Sequence, residues 1–109
     1  MTENLEEKAK KRIIVLGLRS EIEEIANNPS RFVKEQNAEI IYCRTMDSFN
    51  KLISEKMPVG VYYTGKIRQC YDANGMEYWM TINNPRRIRK YIKSKGIKKI
   101  IKIDIQETI

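Results

Sequence analysis

Ile13-Ile14-Val15-Leu16-Gly17-Leu18 is a short, unbroken apolar run rich in β-branched residues. Side chains alternate faces along a strand, so an apolar residue at every position describes a strand covered on both sides. This stretch is the expected centre of a sheet with helices on its two faces.

Reading outward, Ser20 followed by Glu23 has capping-box spacing and predicts a helix with Ile22, Ile25 and Ala26 facing inward. Asn27-Asn28-Pro29-Ser30 is turn chemistry, and Ser30 opens a second helical piece through Phe32, Val33 and Gln36. Residues 39–43 return as a strand. Thr45 or Asp47 then caps a helix that carries Phe49, Leu52 and Ile53 at helical spacing and stops before Pro58. Residues 59–63 form a third strand, in which Tyr62 and Tyr63 point to opposite faces.

Segments 66–71 and 76–82 flank Asp72-Ala73-Asn74-Gly75, where Asn-Gly supplies the positive-φ positions of a tight hairpin. Asn84-Pro85 follows as an N-cap and first helical residue, and Gly96 closes that helix. Ile101, Ile103 and Ile105 alternate with Lys102, Asp104 and Gln106 as a last strand with one wet face. The order is β-α-β-α-β, a hairpin continuation, then α-β. It predicts one small α/β (mixed α+β) domain: a mixed sheet with a parallel core, an antiparallel hairpin over residues 66–82, and helices packed on it. Residues 12–109 form this domain, and the polar residues 1–11 are a mobile charged arm.

The chain has 109 residues, enough to bury a core without metal or disulfide support. No run of eighteen apolar residues occurs and the first twelve residues are charged throughout, so a cytoplasmic protein without a membrane partner is expected. Cys43 and Cys70 are far apart in sequence and the chain has no histidine, which predicts reduced structural thiols and no metal site.

The net charge of +7 is unevenly placed. Residues 85–102 contain Arg86, Arg87, Arg89, Lys90, Lys93, Lys95, Lys98, Lys99 and Lys102 and no acidic residue, whereas the rest of the chain is slightly acidic. A solvated helix face ordinarily mixes signs, since like charges at i and i+4 repel. The sequence therefore predicts a polyanion site, with DNA or RNA as the first partner and an acidic protein as the alternative. Ile88, Tyr91 and Ile92 form a narrow docking stripe, and the cations take the remaining surface beside free N–H groups near Arg86 and Arg87.

In the hairpin, a two-residue and a four-residue turn both place Ile67, Gln69, Tyr71, Tyr78, Met80 and Ile82 on one face, expected to be core. Lys66, Arg68, Cys70, Glu77, Trp79 and Thr81 share the other. Lys66, Arg68 and Trp79 thus offer a candidate stacking surface for nucleic acid, and in the four-residue register Arg68 and Trp79 lie directly opposite.

A Ser-His or Cys-His pair is impossible without histidine, and no strand carries two carboxylates for Mg²⁺. A Walker-type G-x-x-x-x-G-K-S/T is absent, although Thr64-Gly65-Lys66 resembles its ending, and no helix start follows that lysine. The sequence leans towards a non-enzymatic protein with no cofactor. A third function is binding of a nucleotide or other phosphorylated ligand at the carboxyl ends of the first strands, by Arg19, Ser20, Arg44, Thr45 and Lys66. Two-fold symmetry would double the basic helix, so a homodimer is also considered.

Overall fold

A computed structural model describes residues 11–105. The expected arm lies outside the described residues except for Lys11, as does Gln106 of the last strand. The element order is β1 (Lys11–Leu16), α1 (Arg19–Asn27), α2 (Pro29–Phe32), β2 (Ala38–Cys43), α3 (Met46–Glu55), β3 (Gly60–Tyr63), β4 (Lys66–Ala73), β5 (Met76–Asn83), α4 (Pro85–Ser94) and β6 (Ile100–Lys102).

Four strands form a wholly parallel sheet in the order β2-β1-β3-β6. β1 is internal to it, and Ile13 to Leu16 are all buried, as a continuous apolar run requires. Alternate side chains feed two cores. Ile14, Leu16, Val61 and Tyr63 pack with Phe49 of α3 and with Ile88 and Ile92 of α4. Ile13, Val15 and Tyr62 pack on the other side with Ile25 and Val33. Helices thus cover both faces, and both Tyr62 and Tyr63 are core. The Tyr62 hydroxyl keeps one polar contact, accepting from the Lys34 N–H at 3.4 Å.

The hairpin is antiparallel and turns through two residues, Asn74 (φ 54°) and Gly75 (φ 79°). Both central φ values are positive, the twist that suits a two-residue hairpin loop and that Gly75 accepts without a Cβ penalty. β4 and β5 pair with each other as a separate two-stranded sheet. Both sides of β3 are taken by β1 and β6, so the chain that continues from β3 cannot pair beside it, and β4 pairs with β5. The pair projects instead from the carboxyl ends of the strands. Its base alone enters the core, through Ile67 and Ile82. Gln69 and Tyr71 are only partly covered, and Tyr78 and Met80 are exposed. The expectation that this whole face is core therefore holds at the base and fails towards the tip, because the domain ends before the hairpin does.

Helix α1 begins two residues earlier than its capping-box spacing predicts. Leu18 is the N-cap, and its N–H donates to Glu21 Oε1 at 2.9 Å. Glu21 also accepts from the Thr64 hydroxyl at 2.7 Å, so the cap is fixed by a contact across the sheet and not by Ser20. Ile22 and Ile25 are buried as expected, while Ala26 is exposed. Ser30 lies inside α2, whose N-cap is Asn28.

Candidate functional site

Helix α4 forms where the sequence places it. Asn84 Oδ1 accepts from the Arg87 N–H at 3.1 Å, Pro85 opens the helix, and Gly96 follows its end with φ 86°. Ile88 and Ile92 are fully buried, which anchors the helix by roughly 1.5–3 kcal/mol per side chain. Tyr91 adds a polar tie, its hydroxyl donating to Asn50 Oδ1 of α3 at 2.5 Å. The helix cannot rotate without breaking this docking, so its cations have fixed directions.

At about 100° per residue, with Ile88 and Ile92 inward, Arg86, Lys90 and Lys93 form the outward ridge. Arg87 faces the hairpin side. Arg89 faces β6, where its Nη1 donates to the Ile100 carbonyl at 3.2 Å. Among the described residues none of these five cations has an ion pair. Lys95 lies over the Tyr91 ring at 4.9 Å. The segment after the helix differs: Lys99 pairs with Glu35, and Lys102 pairs with Asp104 at 2.6 Å, a bond that raises the lysine's pKa. Lys98, just before them, is exposed. The nine cations are thus divided, with the uncompensated charge concentrated on α4. The N-terminal amides contribute less than the sequence predicts, since Asn84 already occupies that of Arg87.

Between α4 and the hairpin base lies a cleft of about 370 Å³ lined by Met46, Gln69, Ile82, Arg87, Ile88, Lys90, Tyr91 and Ser94. Its floor is apolar and one rim is cationic. Gln69 and Ile82 belong to the hairpin face opposite Trp79, so the cleft and the proposed stacking surface are on different sides of the hairpin.

On the Trp79 side, the two-residue turn sets Cys70 opposite Trp79 and Arg68 opposite Thr81. Arg68 nevertheless reaches diagonally over the indole, with its guanidinium carbon 5.7 Å from the ring centroid. Trp79 is 47% exposed. Arg68 and Thr81 border a shallow hollow with Leu18, Arg19, Ser20 and Glu23, in which Arg19 pairs with Glu23 at 3.2 Å. Lys66 borders another hollow with Ser20, Glu21 and Glu24. Carboxylates therefore accompany the cations on this side.

The strand-end loops do meet. The Gly17 N–H donates to the Cys43 carbonyl and the Thr64 N–H to that of Leu16. The space between them is filled by the protein itself. Glu21 takes the Leu18 amide and Thr64 hydroxyl, and β4 lies along the next loop, with the Arg68 N–H donating to the Arg44 carbonyl and the Cys70 N–H to Asp47 Oδ2 at 3.2 Å. Thr45 caps α3 through the Ser48 N–H, and Arg44 and Thr45 line a hollow separate from that of Arg19 and Ser20. A phosphate would have to displace the carboxylate of Glu21 from its natural position at the α1 N-terminus.

Burial pushes the Cys43 thiol up to about 11, and Cys70 is also raised, by desolvation and then by Glu77, Asp47 and Asp72. Neither is an activated nucleophile. Among the described residues no group of three or more Cys, Asp or Glu is arranged to hold a metal ion, and no helix is long and apolar enough to cross a membrane. Comparison with protein-family models, with curated proteins and with solved structures finds no match. The reading of the site rests on its own residues.

Proposed function

We propose that this chain is a non-enzymatic nucleic-acid-binding domain that holds phosphates on the exposed ridge of α4. The observation that carries the reading is the set of outward cations, Arg86, Lys90 and Lys93 with Arg87 and Arg89 on the flanks, which have no carboxylate partner among the described residues. Such a ridge is electrostatically unfavourable alone and becomes favourable when phosphates replace its counterions. With a helical rise of about 1.5 Å per residue, Arg86 to Lys93 span about 10 Å, close to three base steps of one strand. Contacts of this kind give affinity and orientation, and carry no base sequence.

Lys99 and Lys102 contribute less, because each must first give up its own carboxylate. Lys66, Arg68 and Trp79 lie across the hairpin and are not part of the same ridge.

The test is the salt dependence of binding to a short duplex and to a single strand of DNA and of RNA. Replacing Arg86, Arg87, Arg89 and Lys90 together by Ala should weaken binding by at least about 100-fold and reduce the log–log salt slope by about 3–4, since each phosphate contact contributes about 0.7–0.9. The circular dichroism spectrum should be retained. Undiminished affinity in that variant overturns the reading. The apolar floor of the cleft favours an acidic protein as the second reading, for which one stoichiometric acidic partner purifies with the chain and no excess absorbance at 260 nm accompanies it.

A further inference from the structure

The cleft between α4 and the hairpin base combines two chemistries, of which the phosphate ridge uses only one. Ile82 and Ile88, both buried, give it an apolar floor. Arg87, Tyr91 and Ser94 follow one another at i, i+4 and i+7 and so line one edge of the helix, with Lys90 above them on the ridge. Arg87 and Lys90 have no carboxylate partner among the described residues. The wall is preorganised: the Tyr91 ring packs on Phe49 with 6.4 Å between centroids, and its hydroxyl is tied to Asn50. The hairpin contributes Gln69, whose Oε1 accepts from the Tyr71 hydroxyl at 3.1 Å. That bond orients the amide and leaves its Nε2 donors for another acceptor. At about 370 Å³ the hollow has the size of ordinary small-ligand sites, and like them it is apolar with a few convergent polar groups.

We propose that the cleft receives one unpaired base of a single-stranded nucleic acid whose phosphates lie on Arg87 and Lys90, a proposal that rests on the reading of α4 as a phosphate ridge.

A nucleotide is an anion and a largely apolar ring joined in one unit. The cleft presents the complements of both, two cations at its rim and an apolar floor beneath. Apolar side chains suit the flat faces of a base, and the Nε2 donors of Gln69 suit a ring nitrogen or carbonyl on its edge. A strand held by its phosphates on the rim must turn its bases either out into water or in over Ile82 and Ile88, and burial favours the inward choice. A duplex has no such choice, because its bases are already paired inside it. It can lie along the ridge but leaves the cleft empty. The ridge alone would favour the duplex, which carries the denser charge, and the cleft reverses that order. An acidic peptide is a poorer fit, since it divides its carboxylates and apolar groups between different side chains, whereas rim and floor here belong to one hollow.

The test uses the full chain and fluorescence anisotropy with three labelled DNA probes of equal length, about ten nucleotides: an oligothymidine strand, the same sugar–phosphate strand without bases, and a duplex. The thymidine strand should bind at least about 10-fold more tightly than the baseless one, as one stacked base contributes, and more tightly than the duplex. The baseless strand has the same phosphates and should show the same salt slope. The double variant Gln69→Leu, Ser94→Leu fills the cleft without adding a ring or changing the charge. It should bring the thymidine strand down to the affinity of the baseless strand, leave the other two probes within about two-fold, and keep the circular dichroism spectrum. Ser94→Leu alone, at an exposed position, gives the same comparison if the double variant does not fold. Equal affinity for thymidine and baseless strands, or a preference for bases that survives the filled cleft, overturns the proposal, while salt-dependent binding of all three probes leaves the ridge standing. If no probe binds, ridge and cleft readings fall together. An acidic peptide that binds the wild type in place of every strand, and not the double variant, would assign the cleft to a protein.

Discussion

Helix α4 and the β4-β5 hairpin are consecutive in the chain and touch at their shared root, where a Cβ on Gly65 would come within 2.9 Å of Pro85. They present opposite problems. The helix has a complete apolar anchor in Ile88 and Ile92 and an outer surface of unmatched charge. The hairpin balances its charge, two cations against two anions, and leaves its apolar face uncovered beyond Ile67 and Ile82. One element is stable and electrostatically incomplete, and the other is neutral and incompletely packed. Each deficit indicates its complement: an anion for the helix, an apolar surface for the hairpin. The contrast also shows why net charge alone is a poor guide here, since the element that carries the charge and the element that reaches furthest from the domain are different.

The strongest way to separate the two regions is to truncate one apolar side chain in each. Ile92→Ala opens a cavity in a fully buried site and should cost about 2–5 kcal/mol in urea unfolding. Met80→Ala should change stability by no more than about 0.5 kcal/mol, because its side chain is already half in water. Equal costs would mean that the hairpin tip is packed against the domain and that the comparison is mistaken.

How far this difference can be read from the sequence depends on the distance over which each feature is determined. Ile13 to Leu16, the Asn74-Gly75 turn and the Asn84-Pro85 to Gly96 helix are specified by neighbouring residues, and all are found where the sequence puts them. The start of α1 is not, because Glu21 is held by Thr64, forty-three residues away, and no local signal announces that bond. Hairpin alternation correctly sorts Tyr71, Tyr78 and Met80 onto the face of Ile67 and Ile82. It carries no information on where the domain beneath that face ends, and so makes an exposed arm look like core. For the candidate site, the basic run and its docking stripe are legible. Its division is not: the partners of Lys99 and Lys102 and the side of the hairpin that faces α4 depend on tertiary placement.

A smaller effect tests the local origin of α4. Asn84→Ala removes the acceptor of the Arg87 N–H and should lower stability by about 1 kcal/mol. Because the anchor at Ile88 and Ile92 remains, the cations keep their directions. Nucleic-acid affinity should then hold within about three-fold, or rise slightly as the freed amide becomes available to a phosphate. A loss as large as that of the quadruple Ala variant would instead make the cap, and not the ridge, responsible for binding.

The smallest effect concerns Cys70, which lies opposite Trp79 on the polar face of the hairpin. Its thiol pKa is raised by desolvation first and by the carboxylates of Glu77, Asp47 and Asp72 after it, each of which disfavours the thiolate. Glu77→Gln removes one of these charges and should lower that pKa. At a pH below the pKa the thiolate fraction then increases, so alkylation at about pH 8 should become faster by a factor of a few, and the gain should shrink as salt screens the Glu77 charge in the wild type. Cys43 serves as the internal control, buried and pushed up to about 11, and should react only on unfolding. An unchanged rate in Glu77→Gln would mean that this carboxylate does not act on the thiol.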